Sequence, residues 1–159
     1  MEDKRITKTK RALKSALLEL LTTQAFDVIS ITELCKIANV SRITFYTHYK
    51  DKFALLDDIF NDMLIIGKEG YHRRQEENNP ENNLTQGYLN VLDSILSLYY
   101  ERYDFFQHVV PETNPYLAFR FYRILLDTVE SHTDKLKASY SLKYSARQIA
   151  GFICFGLFG

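Results

Sequence analysis

Cysteine, glycine and proline are scarce in this 159-residue sequence, and tryptophan is absent. The two cysteines, Cys35 and Cys154, sit in separate apolar segments and form no disulfide framework. A reducing compartment is the natural setting, and each thiol is expected to be a small core residue. With only three prolines and six glycines, few positions break a helix. No segment alternates apolar and polar residues between hairpin turns, which argues against a sheet. Long apolar runs are missing too. The charged start "MEDKRITKTKRALK" has no signal-peptide core, and the apolar tail from Tyr144 to Gly159 falls short of the roughly 20 residues that span a bilayer. No membrane contact is expected, and the location is expected to be cytoplasmic. Catalytic signatures are also lacking: His48, His72, His108 and His132 are widely spaced, with no HExxH, no phosphate-binding glycine loop and no Gly-x-Ser-x-Gly. No enzyme, catalytic residue, metal site or cofactor is expected.

What is present suits a globular chain: 46% hydrophobic and 14% aromatic residues, enough for a substantial core. Net charge is zero but unevenly spread. Residues 1–56 hold ten Lys or Arg against six Asp or Glu, and residues 57–159 hold ten against fourteen. The basic excess peaks at Lys4, Arg5, Lys8, Lys10, Arg11 and Lys14, a run without an acid. Such a front end suits contact with a polyanion.

Helical spacing recurs along the chain. Leu13, Leu17, Leu20 and Leu21 form an apolar stripe behind Thr7 or Thr9 as a cap. "SITE", Ser30 to Glu33, and "SARQ", Ser145 to Gln148, read as capping boxes. Asp51 is expected to cap a long helix bearing Phe53, Leu56, Ile59, Phe60 and Met63. The polar run Arg73 to Asn83 reads as a loop. Beyond it, Tyr88, Leu92, Ile95 and Tyr99 are expected to form one face of a helix. After a short helix ending at Pro111, Phe119, Tyr122, Leu126 and Val129 are expected to line the inner face of another, opened by Asn114 and Pro115. The fold class is all-α.

Three short helices in the first 50 residues, with a tight turn between the second and third, describe a helix-turn-helix. Asn39 stands where the turn needs a residue tolerant of the left-handed conformation, and Ser41 caps the helix that follows. Phe45 and Tyr49, four residues apart, face inward. Arg42, Ile43, Thr44, Tyr46, Thr47 and His48 stay outside. This outer set suits DNA: Arg42 can grip guanine, while Thr44, Tyr46 and His48 can donate to phosphate oxygens. Ile43 or the Thr47 methyl group can meet a thymine methyl, and Lys52 adds a charge along the backbone.

The stretch "ITELCKIANVSRITFYTHYKDKFALL", Ile31 to Leu56, resembles the helix-turn-helix of the TetR family of bacterial transcriptional regulators. The features carrying the resemblance are Ser30, the Leu34–Cys35 pair, Ala38 to Ser41, Tyr46, His48 with Tyr49, and Lys52 with Leu55. Asn39 replaces the usual turn glycine, and Ile43 replaces a frequent glycine on the base-facing surface. The resemblance assigns base reading to Thr32, Arg42, Ile43, Thr44 and Thr47. It assigns phosphate contacts to Ser30, Thr44, Tyr46, His48 and Lys52, and matches Lys4, Arg5, Lys8 and Lys10 to a basic arm along the DNA backbone.

The resemblance further implies two domains, a helix-turn-helix at 1–56 and a C-terminal helical ligand-binding and dimerisation domain at 57–159. The expected partners are double-stranded operator DNA, a second copy of the chain and a small apolar or aromatic effector. Tyr99, Tyr103, Phe106, His108, Phe119 and Tyr122 are the candidate pocket, and Ile149, Phe152, Ile153 and Phe155 the candidate dimer surface. The helical domain is expected to be truncated within the apolar end. A ligand-responsive repressor is the leading functional reading. The alternative is a DNA-bound adaptor or co-activator whose C-terminal domain binds a protein; an enclosed cavity favours the sensor, a polar, filled core with a large exposed apolar patch the adaptor.

Overall fold

The computed structural model describes the backbone of residues 4–137 and 143–158, and the side chains of 4–134 and 143–152. Among the described residues every element is helical. They are α1 (Lys4–Leu21), a 3₁₀ turn (Phe26–Val28), α2 (Ile31–Ile37), α3 (Arg42–His48), α4 (Lys52–Asn78), α5 (Leu84–Glu101), α6 (Tyr103–Phe106), α7 (Pro115–Lys137) and α8 (Ala146–Phe158).

The front of the molecule forms around α1, which buries Leu13, Ala16, Leu17, Leu20 and Leu21 against α2 and α4. This helix is already formed at Lys4, before the threonines expected to cap it. Thr9 instead lies inside, its hydroxyl bonded back to the Arg5 carbonyl at 3.0 Å. Lysine and arginine are good helix formers, so the basic run extends the helix. Both expected capping boxes form. Ser30 Oγ accepts the Glu33 N–H while the Glu33 carboxylate accepts the Ser30 N–H, and Ser145 and Gln148 reproduce the arrangement. Asp51 caps α4 through the Ala54 N–H at 2.8 Å.

Helix α4 runs 27 residues, so the expected boundary at 56/57 falls within a continuous helix. Its first turns bury Leu55, Leu56, Ile59, Phe60 and Met63, and further along it packs on α5. The expected loop from Arg73 begins only after Asn78. The polar residues there stay helical because α5 supplies partners. Arg74 donates to Ser97 Oγ at 2.7 Å, and the buried Asn90 amide donates to Gln75 and Asn78. Asn79, also buried, donates to the Asn83 carbonyl and accepts its N–H. Such a network tolerates burial because its members satisfy one another.

This network also rotates α5 from its expected orientation. Gly87, Asn90, Val91, Ser94 and Leu98 face inward, whereas Tyr99 is exposed. In α7 Leu126 and Val129 are buried as expected, but Leu117, Ala118, Phe121 and Leu125 join them while Phe119 is 61% exposed. Helix α8 packs on α7 through Ala146 and Ala150.

Candidate nucleic-acid interface and cavity

The helix-turn-helix is held by local chemistry. Asn39 takes a left-handed φ of 53°, which lets the chain turn sharply between α2 and α3. Ser41 caps α3 by accepting the Thr44 N–H at 3.0 Å. Phe45 is fully buried and Tyr49 nearly so, with the Tyr49 hydroxyl donating to Asp58 at 2.6 Å. Lys14 of α1 meets the same carboxylate at 3.2 Å. Burial raises the Asp58 pKa, but the hydrogen bonds from Tyr49 and Lys14 outweigh it and hold the group below its ordinary value. One carboxylate thus ties α1, α3 and α4 together.

The opposite surface of α3 is open. Arg42 and Thr47 are exposed, Tyr46 is 49% and Ile43 82% exposed, and Thr44 and His48 are half-buried. Thr32 and Ser30 are exposed at the start of α2. The Ser30 hydroxyl is occupied by Glu33, whose pKa it lowers, so the box persists at neutral pH. Lys4, Arg5 and Lys8 are exposed on α1, and Lys10 is half-buried.

Lys52 departs from its expected place along the DNA backbone. Its ammonium donates to the carbonyls of Phe26, Asp27 and Ile29 at 2.9, 2.7 and 2.8 Å. It also lies 5.0 Å from the Phe26 ring centroid. Burial lowers its pKa, opposed by Asp27 and Glu33. The helix start places this side chain over the 3₁₀ turn, where three outward carbonyls need a donor. Lys52 is a brace.

A cavity of about 470 Å³ opens between α4, α5 and α7. Its apolar part is made by Phe60, Met63, Val91, Ile95, Leu98, Phe121 and Leu125, and its polar part by Tyr71, His72, Ser94, Thr128, Ser131 and His132 with the charged Lys68 and Asp127. The Tyr71 hydroxyl lies 3.4 Å from His132 Nδ1, and burial raises its pKa. None of the six residues expected to form a pocket lines this space. Tyr99, Tyr103 and Phe119 are exposed, and Phe106 is consumed by packing on Tyr99, Phe105 and Phe121. Tyr122 and His108 are half-buried. Ring-rich segments fill space; the cavity lies where Gly67, Ser94 and Thr128 leave it open. Small residues recurring on facing helices were the available signal.

Of the expected dimer surface, Ile149 is half-buried and Phe152 84% exposed. The side chains of Ile153, Cys154 and Phe155 lie outside the described residues.

No protein-family model matches the chain. Over 58 residues it is 40% identical to the "Uncharacterized HTH-type transcriptional regulator YxbF" of Bacillus subtilis (strain 168), a match spanning 36% of this chain and 14% of that protein. The chain thus matches about one seventh of that curated relative's length. Among solved structures it is similar to the "Dihydroxyacetone kinase operon activator DhaS", with a TM-score of 0.54 and 23% identity over 92% of this chain and 80% of that one. The second likeness is one of fold, and it agrees with the all-α architecture. No described helix is long and apolar enough to cross a membrane.

Proposed function

We propose that the chain is a DNA-binding transcriptional regulator of the TetR kind, working in the cytoplasm as a homodimer on a palindromic operator. The observation that carries this reading is the division of α3: Phe45 and Tyr49 are buried, while Arg42, Ile43, Tyr46 and Thr47 are presented outward on a left-handed turn. Arg42, Ile43, Thr44 and Thr47, with Thr32 of α2, face bases. Tyr46 and His48 hold phosphates, Ser30 stays in its capping box with Glu33, and Lys4, Arg5, Lys8 and Lys10 follow the DNA backbone. Lys52 acts from beneath by bracing the turn into α2.

The cavity favours a ligand-responsive regulator over an adaptor. Its mainly apolar lining, with polar groups that include Lys68 and Asp127, suits a small apolar or aromatic effector that carries a polar group. Phe121, Ile124 and Leu125 of α7 line it, and the same helix reaches the DNA-reading unit through Asn114, Tyr116 and Arg120. An effector preferring one setting of α7 by ~3 kcal/mol would change DNA affinity roughly 150-fold.

Fluorescence anisotropy of labelled duplex DNA against the full chain at several salt concentrations tests the DNA-binding reading. Affinity is expected to fall linearly on a log–log plot, and Lys8→Gln to shallow the slope by roughly 1. A salt-independent signal, or none at low salt, would contradict it.

A further inference from the structure

Two of the three hydroxyl-bearing or cationic side chains expected to read bases from α3 have their hydroxyls already engaged. Thr44 Oγ1 is 2.9 Å from Ser41 Oγ, inside the cap of the helix. Thr47 Oγ1 donates its one proton to the Ile43 carbonyl at 2.9 Å. Beyond the Arg42 guanidinium and the hydrogen-bonding capacity these two hydroxyls retain, α3 offers a base edge the Ile43 side chain and the Thr47 methyl group. Ile43 is 82% exposed, although isoleucine is among the residues most often fully buried. It is not needed by the core, which Phe45 and Tyr49 fill from the other side. It stands beside Arg42 in sequence and one turn before Thr47, so the aliphatic groups share a face. In the major groove the apolar feature of a base edge is the C5-methyl group of thymine.

We infer that Ile43 is a specificity-determining residue that recognises a pyrimidine 5-methyl group, that of thymine in ordinary DNA, next to the base held by Arg42. The Thr47 methyl group extends the same apolar surface, and the Thr47 hydroxyl takes no part. This inference rests on the DNA-binding reading above. Its consequence is an operator half-site in which one thymine is required for its methyl group alone.

The test uses the duplex selected by the full chain from a random library, with each thymine of the half-site replaced in turn by deoxyuridine. That exchange removes one methyl group and leaves every hydrogen-bonding atom in place. At one position the wild-type chain is expected to lose about fourfold in affinity per half-site, the equivalent of one buried methyl group. Ile43→Ala is expected to bind the thymine duplex about fourfold more weakly and to ignore the deoxyuridine exchange there. Ile43 is exposed and alanine favours helix, so the variant is expected to keep the wild-type circular dichroism spectrum and unfolding midpoint. Thr47→Val is expected to bind like wild type and Thr47→Ser more weakly. Uniform indifference to deoxyuridine, or a penalty that persists in Ile43→Ala, would overturn the inference while leaving DNA binding intact. Failure to bind any duplex would overturn the DNA-binding reading itself, and the inference with it.

Discussion

The side-chain oxygen of Asn114 accepts the backbone N–H of Phe26 at 2.7 Å, joining the start of α7 to the turn that leads into α2. Eighty-eight residues separate the two in sequence. Asn114 is buried, Tyr116 stacks on the Phe26 ring at 5.6 Å, and Arg120 pairs with Asp57 of α4 at 2.8 Å. The helix that lines the cavity therefore also touches the element that sets Ser30 and α2. Asn114→Ala removes the acceptor and leaves a buried N–H unpaired. A loss of about 1–3 kcal/mol in unfolding free energy is expected from urea titration. Unchanged stability would mean that this hydrogen bond does not help to hold the two parts together.

Lys52 separates two roles cleanly. As a brace on the carbonyls of Phe26, Asp27 and Ile29, its replacement in Lys52→Met is expected to cost about 2 kcal/mol of stability. The salt dependence of DNA binding by the folded variant should keep its wild-type slope. A slope smaller by roughly 1 would return Lys52 to the phosphate contacts.

The left-handed Asn39 is a local test of the turn. Asn39→Ala places an ordinary L-residue at a φ of 53° and is expected to lower stability by about 1 kcal/mol. Asn39→Gly is expected to match or exceed wild type, because glycine reaches this conformation without strain. The two unfolding midpoints, measured side by side, decide it. Equal midpoints would show that the turn is not under this constraint.

Most helix caps were legible in the sequence, the start of α1 excepted, and features settled by facing helices were not. Ser30 with Glu33, Ser41 with Thr44, Asp51 with Ala54 and Ser145 with Gln148 are contacts between near neighbours, so residue type and spacing suffice to read them. The inward pair Phe45 and Tyr49 follows from a helical period anchored at a known cap. By contrast, the orientation of α5 depends on Asn90 finding Gln75 and Asn78 across the interface, which no pattern of large apolar residues reveals. The same holds for the cavity. The rings of Tyr99, Tyr103 and Phe119 stand out in the sequence yet sit outside, while the small Gly67, Ser94 and Thr128 line the space. Lys52 lies in the motif as its sequence suggests but turns away from the DNA face, because its carbonyl partners lie 23 to 26 residues earlier in the chain.

His108 gives the molecule an acid-sensitive point. Its Nε2 is buried without a hydrogen-bond partner among the described residues, and burial holds its pKa below the ordinary 6.5, with Asp104 opposing. A histidine whose folded-state pKa is depressed favours the folded state above its unfolded value. That contribution is lost as pH falls through the unfolded value and on through the lower folded one. Unfolding midpoints are therefore expected to drop as pH falls below about 6.5, and His108→Gln to reduce that drop. A pH profile identical in the variant would assign the acid sensitivity elsewhere.

The outward face of α3 is tested most directly by mixing the full chain with random duplex DNA at moderate salt and sequencing what is retained. Enrichment of a palindrome with half-sites about one helical turn apart is expected, and its loss in Arg42→Ala while weak general binding survives. Retention of no sequence over another by the folded chain would contradict a role in reading DNA.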